Sequence, residues 1–317
     1  MRCPKCQFDH ALQTTECLKC GIVFSRYRPT PEPAPEASQD ASAEPEAAAI
    51  PPAESEQAVD RGEAIRELKY RALALPCALI VARLLAATGL RMTAGMLAMV
   101  VHESGHAITA WFTGRWAIPL LWVTPHALER SWLIVVPLAA AILFGGFVAW
   151  KTERWGWVCA AAMALLVQLI FLSVPAEALI VFGGDAGAMV LATMLMLAFY
   201  APRESAMYKA PSLRWGLLVF GALAFLHVFL LWTGPIDDIP FGEIEGVGPS
   251  DPTLLTEMYG WSVTQLVDRY VGLGELCLAA LGVFYVWGLV SAYLRMRAPS
   301  STKPGLWRIG RAAGPVE

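Results

Sequence analysis

Seven apolar runs stand between residues 73 and 296, at 73–90, 92–113, 131–150, 156–174, 178–200, 213–233 and 270–296. Each is close to the ~20 residues that a helix needs to cross a bilayer. Charged residues make up 16% of the chain, against roughly a quarter in a soluble domain. Together these features exclude an ordinary soluble enzyme. The expected fold class is an all-α polytopic membrane protein with six or seven transmembrane helices. The first run contains Pro76 and Arg83, which leaves open whether it spans completely. Residues 114–130 are apolar but broken by Pro119 and Pro125. They are too short to span and suit a hairpin or re-entrant segment, tolerated at depth only where protein or a cavity surrounds it.

Charge is unevenly placed. Residues 29–60 hold eight Asp or Glu and no Lys or Arg, so the remainder carries +5 against −3 for the whole chain. Nowhere is there the concentrated basic surface that nucleic-acid binding requires, and no nucleic-acid partner is expected. The 29–60 segment is rich in Pro, Ala, Glu and Ser. It has too little apolar content to bury a core and reads as a disordered linker. It separates a cysteine-containing module, 1–28, from a membrane domain, 61–300, which a basic tail, 301–317, follows. The chain opens on Met1-Arg2-Cys3-Pro4-Lys5-Cys6 and stays polar to about residue 72, without the apolar stretch of a signal peptide.

Lys and Arg beside membrane spans favour the cytoplasm. Arg61, Arg66, Lys69 and Arg71 therefore put the N-terminus there. Lys151 with Arg154, Arg203 with Lys209 and Arg214, and Arg295 with Arg297 and Lys303 would share that side, leaving the acidic 234–268 connection outside. An even number of crossings is then required between residues 71 and 151, where three apolar runs stand. Either 73–90 is not a full span, or one of these sides is misassigned.

Cys3-x-x-Cys6, ten residues, then Cys17-x-x-Cys20 is a four-thiolate metal site in sequence form. Each pair sets two sulfurs on one tight turn, and two such turns close around a structural Zn²⁺. Metal binding supplies the folding free energy of so small a module. The stretch resembles the short zinc ribbons at the head of many bacterial membrane proteins. That resemblance implies a bacterial inner (cytoplasmic) membrane and a cytosolic protein partner for the ribbon.

The sharpest motif is His102-Glu103-Ser104-Gly105-His106, inside the second apolar run. At 3.6 residues per turn His102 and His106 stand one above the other and can share a metal ion, with Glu103 on the neighbouring face to take a proton from metal-bound water. Three ionisable residues in five positions are expensive in a bilayer and mark a functional site. A zinc hydrolase needs a third protein ligand and one open position. Metzincin spacing fails, because Thr109 and Phe112 stand where its glycine and third histidine would be. Glu129 and Glu177 sit near membrane boundaries. Asp185, in Val181-Phe182-Gly183-Gly184-Asp185-Ala186-Gly187, is the better candidate ligand. Its alternative role is an ion-pathway or interhelical hydrogen-bonding carboxylate, and the adjacent glycines permit close helix approach or a local break.

These residues resemble the site-2-protease family of intramembrane metalloproteases. His102-Glu103-x-Gly105-His106-x-x-x-Ala110-x-x-x-Gly114 matches the family's extended pattern at every fixed position, and the resemblance covers roughly residues 92–200. It implies a zinc ion held by His102, His106 and Asp185, with Glu103 as catalytic acid/base. In this chain Ala186 separates Asp185 from Gly187, the family's Asn-Pro-Asp-Gly surroundings are missing, and there is no asparagine at all.

The expected function is a zinc-dependent intramembrane endopeptidase, with one catalytic and one structural Zn²⁺. Its partners would be the lipid bilayer and a membrane-protein substrate cleaved in or near a spanning segment. Thr124, His126 or a backbone N–H would supply oxyanion donors. The alternatives are a catalytically silent scaffold that uses the ribbon as adaptor, and a transporter with Asp185, His227 and Glu275 along its pathway. For His227 and Glu275 an interhelical hydrogen bond or cavity lining is the expected role. Arg83 would snorkel or mark the first run as interfacial.

Overall fold

The computed structural model describes Cys3, Thr15, Cys20, Val23 and residues 52–88, 91–202, 205–244 and 248–297. Cys6 and Cys17 of the expected ribbon, residues 29–51 of the expected linker and the 301–317 tail lie outside the described residues. The long helices are α1 (Pro52–Ala86), α2 (Arg91–Phe112), α3 (Trp132–Lys151), α4 (Trp155–Ser173), α5 (Ala176–Leu197), α6 (Pro211–Thr233) and α7 (Val263–Arg297). A 3-10 turn, Ala198–Tyr200, continues α5. Five of these helices, α3 to α7, are long and apolar enough to cross a membrane. Helix α1 starts inside the segment expected to be a linker; Pro52 suits a first helical position, where its missing N–H is no loss.

Local sequence sets the helix ends. Gly114 adopts φ +80°, the left-handed conformation that turns the chain out of α2. The Ser131 hydroxyl accepts from the Leu133 N–H and caps α3. Between α2 and α3, residues 116–127 double back as the expected hairpin: Ile118 N–H donates to Pro125 O, Leu120 N–H to Val123 O, and Ala127 N–H to Trp116 O.

Side-chain contacts give the helix directions. His106 meets Ile180 and His102 meets Asp185, so α2 and α5 are antiparallel. Trp232 meets Asp185 and Arg214 meets Phe199, which makes α5 and α6 antiparallel as well. Helices α3 and α4 form a hairpin, with Gln168 Nε2 donating to Val135 O. These directions gather Arg71, the Lys151–Arg154 turn, Lys209, Arg214 and Arg295–Arg297 at one end of the bundle. The 116–127 hairpin and the acidic α6–α7 connection occupy the other.

The crossing count resolves in the same geometry. Arg71 lies at the basic end, where its guanidinium reaches Tyr200 O and Ala201 O. Gly95, early in α2, lies against His227, about thirteen residues along α6 from Arg214; at 1.5 Å per residue that is about 20 Å above the basic end. Helices α1 and α2 thus run in the same direction and share one passage through the bundle, α1 in its lower part and α2 in its upper. The 73–90 run is not a separate span, and the basic turns share one end without conflict.

Lipid tails provide no hydrophobic drive between helices, so close packing of small residues must hold such a bundle together. It does so here at Gly221, where a Cβ would stand 2.6 Å from Ala192 O, and at Gly105, Gly183 and Gly187 between α2 and α5. The basic end is held differently. Glu67 accepts from Arg71 Nε at 2.6 Å and from Arg214 Nη2 at 2.7 Å, and Arg214 Nε donates to Phe199 O. Both arginines thereby pair the carbonyls at the end of α5 while sharing one buried carboxylate. Burial alone would push the Glu67 carboxyl up, but the hydrogen bonds from Arg214 and Arg71 outweigh it and hold it below its ordinary value.

A carboxylate held low contributes stability above its unfolded value of 4.5 and loses it as pH falls through the lower folded value. We expect the detergent-solubilised protein to lose thermal stability below about pH 4.5, and Glu67→Gln to flatten that dependence. Removing one partner of a buried ion pair costs about 3–5 kcal/mol. Arg214→Ala should therefore lower the unfolding midpoint at neutral pH, as thermal denaturation would register.

Candidate metal centre

Helix α2 presents His102 and His106 on one face, and α5 crosses directly behind them. The crossing is close because neither side has a Cβ to spare: one on Gly105 would collide with Gly183 O, and one on Gly187 with the Gly105 Cα. The glycines around Asp185 thus give close approach, and α5 runs unbroken from Ala176 to Leu197. This proximity lets α5 reach the Nδ1 atom of each imidazole. Asp185 Oδ1 lies 2.8 Å from His102 Nδ1, and Ile180 O lies 2.7 Å from His106 Nδ1. Both partners accept hydrogen bonds, so each Nδ1 carries the hydrogen, and in a neutral imidazole that leaves the lone pair on Nε2.

The two Nε2 atoms are 3.1 Å apart. A third acceptor meets them from the α6–α7 connection, with Asp251 Oδ2 at 3.2 Å from His102 Nε2 and 3.0 Å from His106 Nε2. That oxygen is buried without a hydrogen-bond donor. With both imidazoles neutral, three acceptor atoms converge on one point. A single added proton could bridge only two of them, whereas a cation would pair all three. Tetrahedral ligands at 2.0–2.1 Å from zinc stand about 3.3 Å apart, close to the observed triangle. His102, His106 and Asp251 form a group that could hold a metal ion.

The sequence-based ligand set and this one differ at the third position. Asp185 is adjacent to His102, as expected, but it faces Nδ1 and not Nε2. Its second oxygen accepts from Trp232 Nε1 at 2.7 Å, so both oxygens are engaged on the far side of the ring. The indole is fully buried and stacks on Tyr270, ring centres 4.1 Å apart. This is the carboxylate–imidazole arrangement that fixes tautomer and ring direction in metal sites. Asp251 was missed because the 234–268 connection read as a polar loop. Its only local signal is Gly248-Pro249-Ser250-Asp251-Pro252, a proline-bracketed turn.

That turn is firmly built. Ser250 N–H donates to Gly242 O, the Gly242 N–H donates to Thr253 Oγ1 at 2.7 Å, and the Ser250 and Thr253 hydroxyls are 2.9 Å apart. Leu255 is fully buried just beyond it. Asp251 thus reaches the histidines from an ordered cap.

Glu103 is buried next to this group, and its Oε2 accepts from Thr124 Oγ1 at 2.7 Å. The same hydroxyl lies 2.9 Å from Glu103 O, which ties the 116–127 hairpin to α2. Thr124 is thereby committed to Glu103 and is not available as an oxyanion donor. His126 lines the same cavity of about 400 Å³, together with His102, Glu103, His106, Asp185 and Asp251. His227 also lines it, whereas Glu275 and Arg83 are exposed on the bundle surface. Glu177 pairs with Arg115, and Glu129 is exposed. At the N-terminus, Cys3 and Cys20 Sγ are 3.8 Å apart, too far for a disulfide at about 2.05 Å.

Comparison with protein-family models, with characterised proteins and with solved structures gives no match.

A Cβ on Gly184 would stand 2.5 Å from His106 Nε2 and 2.6 Å from His102 Cε1. Gly184→Ala is expected to push the imidazoles apart and lower zinc affinity at least tenfold, read by competition with a chromophoric chelator. Trp232→Phe keeps a ring over Tyr270 but removes the N–H donor to Asp185. It should weaken zinc binding about 10- to 100-fold, the usual effect of losing a group behind a ligand.

Proposed function

We propose that this protein is a zinc-dependent intramembrane endopeptidase, cleaving peptide bonds in or near membrane-spanning segments of other proteins. The observation that carries the reading is the convergence of three acceptor atoms, from His102, His106 and Asp251, beside the buried Glu103 carboxylate in one cavity. Among the described residues no Lys or Arg lines that cavity, which disfavours phosphate esters, since they are commonly clamped by such cations. The extended motif and its resemblance to site-2 proteases support the same reading, with Asp251 in place of Asp185 as third ligand.

The chemistry that a bound zinc supplies is polarisation of the scissile carbonyl and activation of water near neutral pH. The chain's own groups do the rest. Asp185 and Ile180 O hold the two imidazoles with Nε2 forward. Glu103, oriented by Thr124, takes a proton and delivers it to the leaving amine. His126 is the candidate donor to the developing oxyanion.

The remaining assignments belong to the same proposal. The basic end of the bundle faces the cytoplasm by the positive-inside rule, which puts the N-terminus in the cytoplasm of a bacterial inner membrane. The metal group then lies toward the opposite side. Cys3, Cys6, Cys17 and Cys20 hold a structural zinc. The 3.8 Å separation of the Cys3 and Cys20 sulfurs matches the edge of a tetrahedron of thiolates at about 2.3 Å from the metal. A cytosolic protein is the ribbon's partner.

Zinc content of the full chain tests this reading. His102→Ala and Asp251→Ala should each lose one zinc equivalent relative to wild type, while Asp185→Asn retains it with lower affinity. Glu103→Gln should keep the metal and lower cleavage of reconstituted single-span test segments by at least about 100-fold, the scale of general acid–base catalysis. Unchanged zinc in His102→Ala, or wild-type cleavage by Glu103→Gln, would refute it.

A further inference from the structure

The cavity is longer than the metal group requires. On α2 it is lined by Gly95, Ala98, Met99 and His102, spaced to share one helical face. His102 stands seven positions beyond Gly95, so this limb extends about 10 Å along the helix. Val228 and Leu231 of α6 form the facing wall, and Val181 of α5 completes it near the histidines. At the far end the His227 imidazole packs directly on the α2 backbone, where a Cβ on Gly95 would stand 3.0 Å from its Cε1.

Charge is distributed asymmetrically along this space. Among the described residues its carboxylates, Glu103, Asp185 and Asp251, all lie at the metal end, and no Lys or Arg lines it. Between the histidine pair and the His227 imidazole at the far end, the side walls are methylene, methyl and thioether groups. Among the described residues, an anionic side chain lying there would find no Lys or Arg and a cationic one no carboxylate along the limb; stranding a charge in such surroundings is strongly unfavourable.

We propose that the limb between α2 and α6 is the substrate's side-chain subsite, taking an uncharged aliphatic or aromatic side chain next to the scissile bond. This rests on the metalloprotease reading and adds to it the class of residue at the cleavage site. Glycine at 95 and alanine at 98 keep the α2 wall low, Met99 and Leu231 supply adaptable apolar contact, and His227 sets the depth. Fully burying one such side chain is expected to raise affinity about 10- to 100-fold over a probe lacking it.

The test uses the full-length, zinc-loaded protein in lipid nanodiscs and a set of peptidyl hydroxamates that differ in one side chain: glycine, leucine, phenylalanine, lysine or aspartate. The hydroxamate supplies a common metal-binding group, and affinity is read by calorimetry. Leucine and phenylalanine probes should bind about 10- to 100-fold more tightly than glycine, and lysine and aspartate no more tightly than glycine. Met99→Trp, which fills the limb, should bring the leucine and phenylalanine affinities down toward the glycine value. Equal binding of glycine, leucine and phenylalanine probes, or a preference for lysine or aspartate, would overturn the subsite and leave the metal-site reading standing. Failure of every probe, glycine included, would overturn both.

Discussion

The contact of α5 with α2 through Gly105, Gly183 and Gly187 is the constraint on which the candidate centre depends. It brings backbone against backbone, so a single helix reaches the Nδ1 atoms of both His102 and His106. One partner is a side chain and the other a main-chain carbonyl, yet each imposes the same tautomer. Without that approach the imidazoles would be free to turn, and their Nε2 atoms would have no reason to point at the same place. Packing of small residues, the ordinary adhesive of helices in lipid, here also sets the direction of two potential ligands.

Much of this was legible in the sequence, for reasons the packing makes plain. The extended motif joins residues whose roles are steric as well as chemical: Gly105 faces the α5 backbone, Ala110 is fully buried, and Gly114 adopts the positive φ that ends α2. Long apolar runs gave the helices, and the prolines at 119 and 125 gave the hairpin. The first run was ambiguous because its charge and proline content were those of a helix crossing only part of the bundle. Asp185 was expected as a metal ligand and lies against the Nδ1 atom of His102. Residue type and spacing register proximity to a histidine, but they carry no information about which face of the ring is approached.

Asp251 was beyond reach of such reasoning. It sits among several acidic residues in a connection with little periodicity, and its approach to the histidines depends on hydrogen bonds from Ser250, Thr253 and Gly242 that no spacing rule anticipates. The two ends of the bundle also differ in how they treat buried charge. At the basic end Glu67 and the two arginines satisfy one another with paired donors and acceptors. At the other end His102, His106 and Asp251 bring three ligand atoms together, a group that a positive partner would stabilise in a low-dielectric interior.

The origin of Asp251 in a late connection has a consequence for biosynthesis. The two histidines are complete once α2 has been made, but four further helices must follow before the third acceptor leaves the ribosome. At 5–20 residues per second that interval is on the order of ten seconds or more. Throughout it the growing chain holds a histidine pair and a buried glutamate without the group that completes the triangle. A nascent chain of this protein is therefore unfinished at its candidate centre, and the triangle of His102, His106 and Asp251 can close only after α6 and the cap beyond it are in place.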